Sequence, residues 1–326
     1  MNEAATLVNA AQSLVVIQGE NPDGDSLSSA LALEAILTDL KKTVTLVCAV
    51  DIPKYLRFLA GWDRVIAKLP AEYDLAIIVD ASTQALLTRT IKSPAGHSLA
   101  QRQPLIIDHH SSGIDLPFAA SQLIQSEAVS TGEIIYQLAK QAGWPISADT
   151  AGLLANSIMS DSLGLTSPKT TAKTIYHLAE LVELGANLTR LDELRRALNK
   201  KPVDIFYYKG QLFERVELAL DGRVALVVIP WEEIEQYSDA YNPSMLIIDE
   251  MRLIEGVEVA AAFKTYPDGK ITCKLRANPT ARFMNEVAEH FGGGGHPFAA
   301  GFKVFNTPLD TLKSEFINQL RQRLET

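Results

Sequence analysis

The fold is decided by the segment SLVVIQ-GENPDGD-SLSSALALEAILTD, which spans residues 13–39. Its first six residues form an apolar run typical of a buried strand, and apolar residues from Ser26 to Asp39 recur at helical spacing. A turn with two carboxylates, Asp23 and Asp25, joins the two elements. Helix capping is the plain interpretation of these acidic residues, and the strand–turn–helix unit predicts an α/β domain.

Further strands and helices alternate along the first part of the chain. Leu75 to Val79 and Leu105 to Ile107 are short, fully apolar runs, and Ser130 with Glu133 forms a capping box for a following helix. Such alternation predicts a mostly parallel sheet flanked by helices. We assign this first domain to residues 1–187.

The pattern changes after residue 187. Residues 188–214 are richer in polar and charged side chains and predict a helical linker. Residues 215–326 read as strands joined by turns, with Asp-Gly pairs at 221–222 and 268–269. This second domain is predicted to be a smaller mixed-sheet α/β domain, and a cleft is expected between the two domains.

Composition narrows the class of protein. A chain of 326 residues with 47% hydrophobic residues is long enough for two cores. It has no apolar run of roughly 18 to 20 residues and no secretory signal, which predicts a cytoplasmic protein without a membrane span. The net charge of −9 argues against long duplex DNA as a ligand. Cys48 and Cys273 are predicted to be reduced core residues.

Acidic residues and histidines follow the predicted strands. Asp80 comes after one apolar run and Asp108-His109-His110 after the next, while Asp161 ends a helix, where an acid opposes the helix dipole. Each residue alone could be a cap or a loop residue. Parallel sheets bind ligands beyond the carboxyl ends of their strands, however, so these side chains are expected to converge. Carboxylates with imidazoles suit Mn²⁺ or another borderline cation better than Ca²⁺.

Four short segments in this order resemble the signatures of the DHH phosphoesterases: NPDGD at 21–25, VD at 79–80, DHH at 108–110 and SDS at 160–162. The segment GGGGH at 292–296 resembles the DHH-associated C-terminal domain. The nearest resemblance is to the branch of bifunctional oligoribonucleases and phosphoadenosine-phosphate phosphatases. It implies metal-dependent hydrolysis of short oligoribonucleotides (nanoRNA) or of small nucleotides such as phosphoadenosine phosphate or linear di-AMP. A pyrophosphatase or exopolyphosphatase is the alternative enzyme.

The resemblance also implies five metal ligands around two Mn²⁺ ions: Asp23 on the first ion, Asp25, His109 and Asp161 on the second, and Asp80 bridging both. Mg²⁺ and Co²⁺ are alternatives to Mn²⁺. Two cations about 3.5 to 4 Å apart can lower the pKa of a shared water and neutralise phosphate oxygens. His110 would lie beside the reacting phosphate as a donor, or would instead support His109.

One position departs from the family pattern. The family has a histidine two residues before Asn21, and this chain has Gly19 there. The first metal site is therefore expected to be weakened, with Glu20, water or a substrate phosphate completing it. A nucleotide-binding protein that has lost turnover is the corresponding non-enzymatic alternative.

The second domain supplies the expected substrate-binding residues. Arg276, at the end of a predicted strand, resembles the substrate-binding arginine of the family. The alternative interpretation is that Arg276 is an exposed cation at a strand end with no role in binding. The N–H groups of Gly293, Gly294 and Gly295 could surround a phosphate or carboxylate and His296 could add charge, the alternative being a flexible linker. The family more often has SLRS where this chain has KLRA at 274–277. Family members often dimerise, so a homodimer is one option.

Overall fold

A computed structural model describes residues 1–110, 115–118, 120–198, 200–237 and 241–325. Asn199, in the predicted linker, and Thr326, at the end of the predicted second domain, lie outside these ranges. The chain divides into two compact units, Met1–Lys200 and Lys201–Thr326. Each unit has its own hydrophobic core.

The first unit contains a five-stranded sheet in which every pairing is parallel, in the order β2-β1-β3-β4-β5. Its strands are β1 (Ser13–Gln18), β2 (Thr43–Val47), β3 (Leu75–Val79), β4 (Leu105–Asp108) and β5 (Ser121–Ile124). Its helices are α1 (Asn2–Ala10), α2 (Gly24–Asp39), α3 (Thr88–Lys92), α4 (Gly96–Gln101), α5 (Thr131–Ala142), α6 (Ala148–Asp161), α7 (Ala172–Glu183) and α8 (Leu188–Leu198). Short 3₁₀ helices lie at Lys54–Leu56, Trp62–Arg64 and Gln84–Leu87.

The apolar character of β1 follows from burial on both faces of this sheet. Leu14 and Val16 lie in one core cluster, with α2, α5 and α6, and Val15 and Ile17 lie in another on the opposite side. Continuous apolar strands are typical of a parallel sheet covered on both faces. The predicted fold of the first domain is thereby confirmed.

The second unit contains a mixed six-stranded sheet, in which only the β7–β8 pairing is parallel, in the order β10-β11-β9-β8-β7-β6. Its strands are β6 (Glu217–Ala219), β7 (Val224–Ile229), β8 (Val259–Thr265), β9 (Lys270–Ala277), β10 (Gly294–His296) and β11 (Ala299–Phe305). Its helices are α9 (Val203–Glu214), α10 (Trp231–Tyr237), α11 (Ile248–Met251), α12 (Met284–His290) and α13 (Leu309–Leu324), with a 3₁₀ helix at Pro243–Leu246. The predicted mixed sheet is confirmed.

The segment between the two sheets is helical. Helix α8 contacts α6 and the 3₁₀ helix at Lys54–Leu56 in the first unit. In α9, Ile205 and Leu212 join a core cluster with β7 and β8 in the second unit. Each of these helices is therefore part of a different unit.

Two further expectations concern the whole chain. Cys48 and Cys273 are buried and form no disulfide, as predicted. In the described ranges, no helix has both the length and the apolar character that crossing a bilayer requires.

Candidate metal centre

The carboxyl edge of the parallel sheet gathers the predicted ligands. Asp80 follows β3, and His109 follows β4, the neighbouring strand. Asp25 lies in the first turn of α2, and Asp161 is the last residue of α6. These two helices pack against each other, and a Cβ at Gly24 would lie 2.2 Å from the Ser160 hydroxyl oxygen. The glycine thus permits the close approach that brings both carboxylates to one place.

His109 lies at the centre of this group. Its Nε2 is 3.1 Å from Oδ2 of Asp161, 3.5 Å from Oδ1 of Asp80 and 3.7 Å from Oδ2 of Asp25. The residue is only 4% exposed, yet neither ring nitrogen has a hydrogen-bond partner among the described residues. Buried polar groups are normally paired. An unpartnered imidazole nitrogen that faces three carboxylates fits a divalent cation.

Asp25 is fully buried and held by the helices around it. Its carboxylate accepts hydrogen bonds from the N–H of Thr131 at 2.8 Å, the Ser29 hydroxyl at 2.8 Å and the Ser157 hydroxyl at 2.5 Å. Burial, and then repulsion by Asp161, nevertheless raises the pKa of Asp25 to about 6. A cation bound here would favour the ionised carboxylate in place of the proton.

Asp80 combines backbone strain with electrostatic strain. Its φ is 55°, in the left-handed region that non-glycine residues rarely adopt. Burial, followed by the nearby charges of Asp25 and Asp23, raises the pKa of Asp80 well above its ordinary value. Thr131 Oγ1 donates to Oδ1 of Asp80 at 3.1 Å, so the carboxylate is oriented from α5. Strain of both kinds is common at functional sites.

Asp23 has a capping role, unlike Asp25. It is the N-cap of α2: its Oδ1 accepts from the Ser26 N–H at 2.9 Å, and Ser26 Oγ accepts from the Asp23 N–H at the same distance. The capping interpretation of the turn therefore describes Asp23. Within the described ranges, the groups of side chains that could hold a metal do not include it.

Gly19 stands where the resemblance implies a histidine ligand, and Glu20 follows it in the sequence. A Cβ at Gly19 would lie at ordinary contact distance from Ala81 and Leu86, 3.5 and 3.7 Å from their Cβ atoms. The Glu20 carboxylate accepts hydrogen bonds from the N–H groups of Arg89 at 2.6 Å and Thr90 at 2.9 Å. In this structure Glu20 therefore satisfies the first turn of α3 and does not replace the missing imidazole.

His110 is half-exposed beside the buried group. Its Nδ1 lies 2.7 Å from Oδ1 of Asp108, which also accepts the backbone N–H of His110 at 3.0 Å. This hydrogen bond raises the pKa of His110. Burial opposes ionisation of Asp108, but hydrogen bonds from His110 and Ser82 outweigh it and lower the pKa of Asp108. The imidazole of His110 lies next to Asp80, with 3.6 Å between Nδ1 and Oδ1 of Asp80.

Sequence reasoning missed the residues that support these ligands. The sequence predicts no role for Thr131, Ser29 or Ser157, and it places Asp108 at a strand end without predicting it as a ligand. Asp108 forms a second potential ligand group with Asp80, His109 and His110. The signal for Asp108 was its place at a strand end, whereas nothing in the sequence pairs Ser157 with Asp25.

Two of the predicted substrate residues of the second unit, Arg276 and His296, lie on one face of its sheet. Arg276 lies opposite Ala299, which lies opposite His296, and side chains directly opposite each other in antiparallel strands point to the same face. Gly293 has a structural role in the backbone. Its N–H donates to the carbonyl of Ala288 at 2.8 Å, and a Cβ added at this position would lie 2.2 Å from a backbone oxygen of β11. Gly294 and Gly295 form β10 with His296, which is exposed. The N–H of Gly293 is thus already used.

Comparison with known proteins agrees with this architecture. Residues 13–158 match the model of the DHH family, N-terminal domain, and residues 235–326 match that of the DHHA1 domain. The bifunctional oligoribonuclease and PAP phosphatase NrnA of Bacillus subtilis (strain 168) is 25% identical over 308 residues, covering 93% of each chain. The probable bifunctional oligoribonuclease and PAP phosphatase NrnA of Streptococcus mutans (UA159) is 27% identical over 301 residues, covering 92% of each.

A solved structure shows the same fold. The crystal structure of an exopolyphosphatase-related protein from Bacteroides fragilis matches with a TM-score of 0.82 and 20% identity, covering 100% of this chain and 97% of that one. At this level of identity the likeness concerns the fold alone. It extends over both units of the chain.

Proposed function

Because the chain combines a DHH-family N-terminal domain with a DHHA1 domain, we propose that it is a metal-dependent phosphoesterase that hydrolyses short oligoribonucleotides or small nucleotides, such as phosphoadenosine phosphate or linear di-AMP. The observation that carries this proposal is His109, which is buried, has no hydrogen-bond partner among the described residues at either ring nitrogen, and has Nε2 facing three carboxylates. The relatives with oligoribonuclease and PAP phosphatase activity in their names cover nearly the full chain, which supports the substrate class.

Two overlapping groups of side chains, which share His109, would supply the donors for a cation: Asp25 and Asp161 in one, and Asp80, Asp108 and His110 in the other. Asp25, Asp80, His109 and Asp161 would hold the ion, and their mixed oxygen and nitrogen donors favour Mn²⁺, with Mg²⁺ or Co²⁺ as alternatives. When bound, such an ion lowers the pKa of water and neutralises charge on phosphate oxygens. Thr131 and Ser157 keep two of the carboxylates in position before the ion arrives.

His110 is proposed to act on the phosphate group of the substrate. Asp108 accepts a hydrogen bond from Nδ1, so Nε2 is the nitrogen left to donate to a phosphate oxygen. The raised pKa keeps the imidazole protonated to a higher pH than a free histidine. A cationic donor of this kind stabilises negative charge that develops during phosphoryl transfer.

A second cation would find fewer protein ligands. Asp23 and Asp80 are the available carboxylates, Asp23 is committed to the cap of α2, and Glu20 to the start of α3. We propose that an ion enters this first site only together with a substrate phosphate, which supplies the missing donors. The ion held by Asp25, Asp80, His109 and Asp161 would then bind more tightly than the ion that enters with the substrate.

Two alternatives keep specific support. A pyrophosphatase or exopolyphosphatase would use the same metal chemistry, although the DHHA1 domain and the oligoribonuclease relatives fit it less well. A nucleotide-binding protein without turnover is favoured by Gly19 alone. These three functions differ in what the purified protein releases.

The test is a parallel hydrolysis assay with Mn²⁺ on labelled RNA di- to pentanucleotides, phosphoadenosine phosphate, linear di-AMP, pyrophosphate and polyphosphate. The proposal expects hydrolysis among the nucleotides, abolished in Asp161→Asn and retained in Asp149→Asn, an exposed acid at the other end of α6. Release of phosphate from pyrophosphate or polyphosphate alone would support the first alternative. Tight nucleotide binding without hydrolysis across several metals would support the second.

A further inference from the structure

One face of the second sheet carries positive charge in three successive rows. The strand register places directly opposite residues on the same face. The rows are His296–Ala299–Arg276–Ala260, then Gly294–Gly301–Lys274–Ala262, then Lys303–Thr272–Lys264. Arg276 and His296 thus have three lysines beside them, which come together only through strand pairing.

The small residues around Lys274 leave an open space. Ala262 and Gly301 flank it on the neighbouring strands, and a cavity of about 450 Å³ lies over this part of the sheet. Its lining includes Lys264, Lys274 and Lys303. Asn242 and Ser244 add polar groups from the loop and 3₁₀ helix beside the sheet. The cavity is large enough for a phosphate group with part of a nucleoside.

Among the described residues, no carboxylate lies within 4.0 Å of the ammonium groups that line this cavity, and the nearest attraction that Lys274 feels is to the more distant Asp249. Lys264 Nζ lies 2.6 Å from the Asn242 side-chain oxygen, and Lys274 Nζ lies 3.0 Å from the Met245 sulfur. Ion pairs within 4.0 Å of a described carboxylate form at other lysines, such as Lys270 and Lys313, and not at these two. Burial and then mutual repulsion lower the pKa of Lys264. An anion placed between the two ammonium groups would relieve this repulsion.

We infer that Lys264 and Lys274 form a subsite for a phosphate group of the substrate other than the one that is hydrolysed. The inference rests on the proposed function, since it assigns the end of the nucleotide that the second unit recognises. A terminal phosphate, with two negative charges and several acceptor oxygens, matches two ammonium groups and the amide of Asn242. Lys274 stands where the family more often has serine, so this charge is a feature of the chain itself.

The experiment measures binding by the full-length protein in the presence of a chelator, so that no hydrolysis occurs. Titration calorimetry compares diadenylate with a terminal 5′-phosphate, with a terminal 3′-phosphate and with hydroxyls at both ends, and inorganic phosphate alone is a fourth probe. The natural chain is expected to bind one phosphorylated form about tenfold more tightly than the hydroxyl form, the size expected of a charge-assisted contact.

Two variants test whether Lys274 causes the preference for a phosphorylated diadenylate. Lys274→Ser should remove the preference and leave binding of the hydroxyl form unchanged. Lys270→Ser makes the same change on the same strand, outside the cavity lining, and should keep the preference. Equal unfolding temperatures of the three proteins show that each is folded.

Three results would overturn the inference: equal affinity for all diadenylates, equal weakening of every form in Lys274→Ser, or binding of inorganic phosphate without any preference among the diadenylates. The last result would describe a free-phosphate site. Failure of the proposed function is seen separately, in the hydrolysis assay. If the hydrolysis assay shows cleavage but the titration shows no phosphate preference, only the subsite is contradicted. If the titration shows a preference but the assay shows no cleavage, only the assignment as an enzyme is contradicted.

Discussion

The proposed metal centre has two halves that begin from the same turn: a complete half that contains Asp25, and an incomplete half that would contain Asp23 and the position of Gly19. Asp25 reaches into a buried group with His109 and Asp161, held by hydrogen bonds from α2, α5 and α6. Asp23, two residues earlier, caps α2, and Gly19, where the family has a histidine, has no ligand atom in its side chain. A ligand position is therefore defined by the elements packed around a carboxylate as much as by the motif that contains it.

Removing a ligand from the complete half should have the largest effect. Asp161→Asn takes a negative charge from a carboxylate oxygen 3.1 Å from His109 Nε2. We expect Mn²⁺ affinity and hydrolysis to fall by more than about 100-fold, because outer-sphere changes alone reach that size. Calorimetric Mn²⁺ titration measures the loss, with Asp149→Asn as the matched control. Unchanged Mn²⁺ binding in Asp161→Asn would mean that Asp161 is not a ligand and that the complete half is not the stronger Mn²⁺ site.

The pH dependence of the free energy of unfolding tests the surroundings of Asp25, in the complete half, without substrate. In metal-free protein the pKa of Asp25 is raised from 3.8 to about 6. The folded state therefore holds this proton more tightly than the unfolded state, and the resulting stability is full below the unfolded pKa and lost as pH rises through the folded pKa. Between about pH 5 and about pH 8 the expected loss is about 1 kcal/mol.

Thermal unfolding of metal-free and Mn²⁺-loaded protein, at about pH 5 and about pH 8, measures this linkage. The stabilisation by Mn²⁺ should be larger at the higher pH, where the ion no longer competes with protons. Asp25→Asn should flatten the slope of the metal-free protein. A metal-free protein that gains stability between these pH values would contradict the assignment.

Restoring an imidazole to the incomplete half should give a smaller gain. Gly19→His places a Cβ at ordinary contact distance from Ala81 and Leu86, and Leu86→Ala in the same protein gives the ring room. We expect bound Mn²⁺ to rise from one ion towards two, and hydrolysis to rise about tenfold, the size of one good metal contact. Metal analysis of dialysed protein checks the first outcome. Gly19→Leu controls for filling the space, and equal metal content in both variants would show that the imidazole is not what the site lacks.

The smallest effect is expected at Glu20. Glu20→Gln keeps one hydrogen-bond acceptor for the N–H groups at the start of α3 and removes the charge. Stability should fall by less than about 1 kcal/mol, as for a weakened helix cap, with unchanged Mn²⁺ content. Loss of bound metal in this variant would mean that Glu20 is a ligand after all.

Much of the fold was readable in the sequence because short apolar runs and acidic strand ends are local signals. The parallel sheet, and the approach of Asp80 to His109 at neighbouring strand ends, follow from alternation and chain direction. The bond from Thr131 to Asp25 joins residues 106 apart and depends on how α5 packs on α2. The row containing Lys274 depends on strand register, which no local pattern specified. The hydrogen bonds that Glu20 accepts from the N–H groups of Arg89 and Thr90 join residues about 70 apart, so the expectation that Glu20 is one option for completing the first site could not take them into account.

The central claim is that a cation held by the complete half performs phosphoester hydrolysis. Mn²⁺-dependent cleavage of a labelled RNA trinucleotide, by the natural chain and by Asp80→Ala, tests it most directly. The account predicts cleavage by the natural chain and none by the variant, with the variant still folded. Cleavage that persists in Asp80→Ala, or a natural chain that leaves the trinucleotide and the small nucleotides intact, would contradict it.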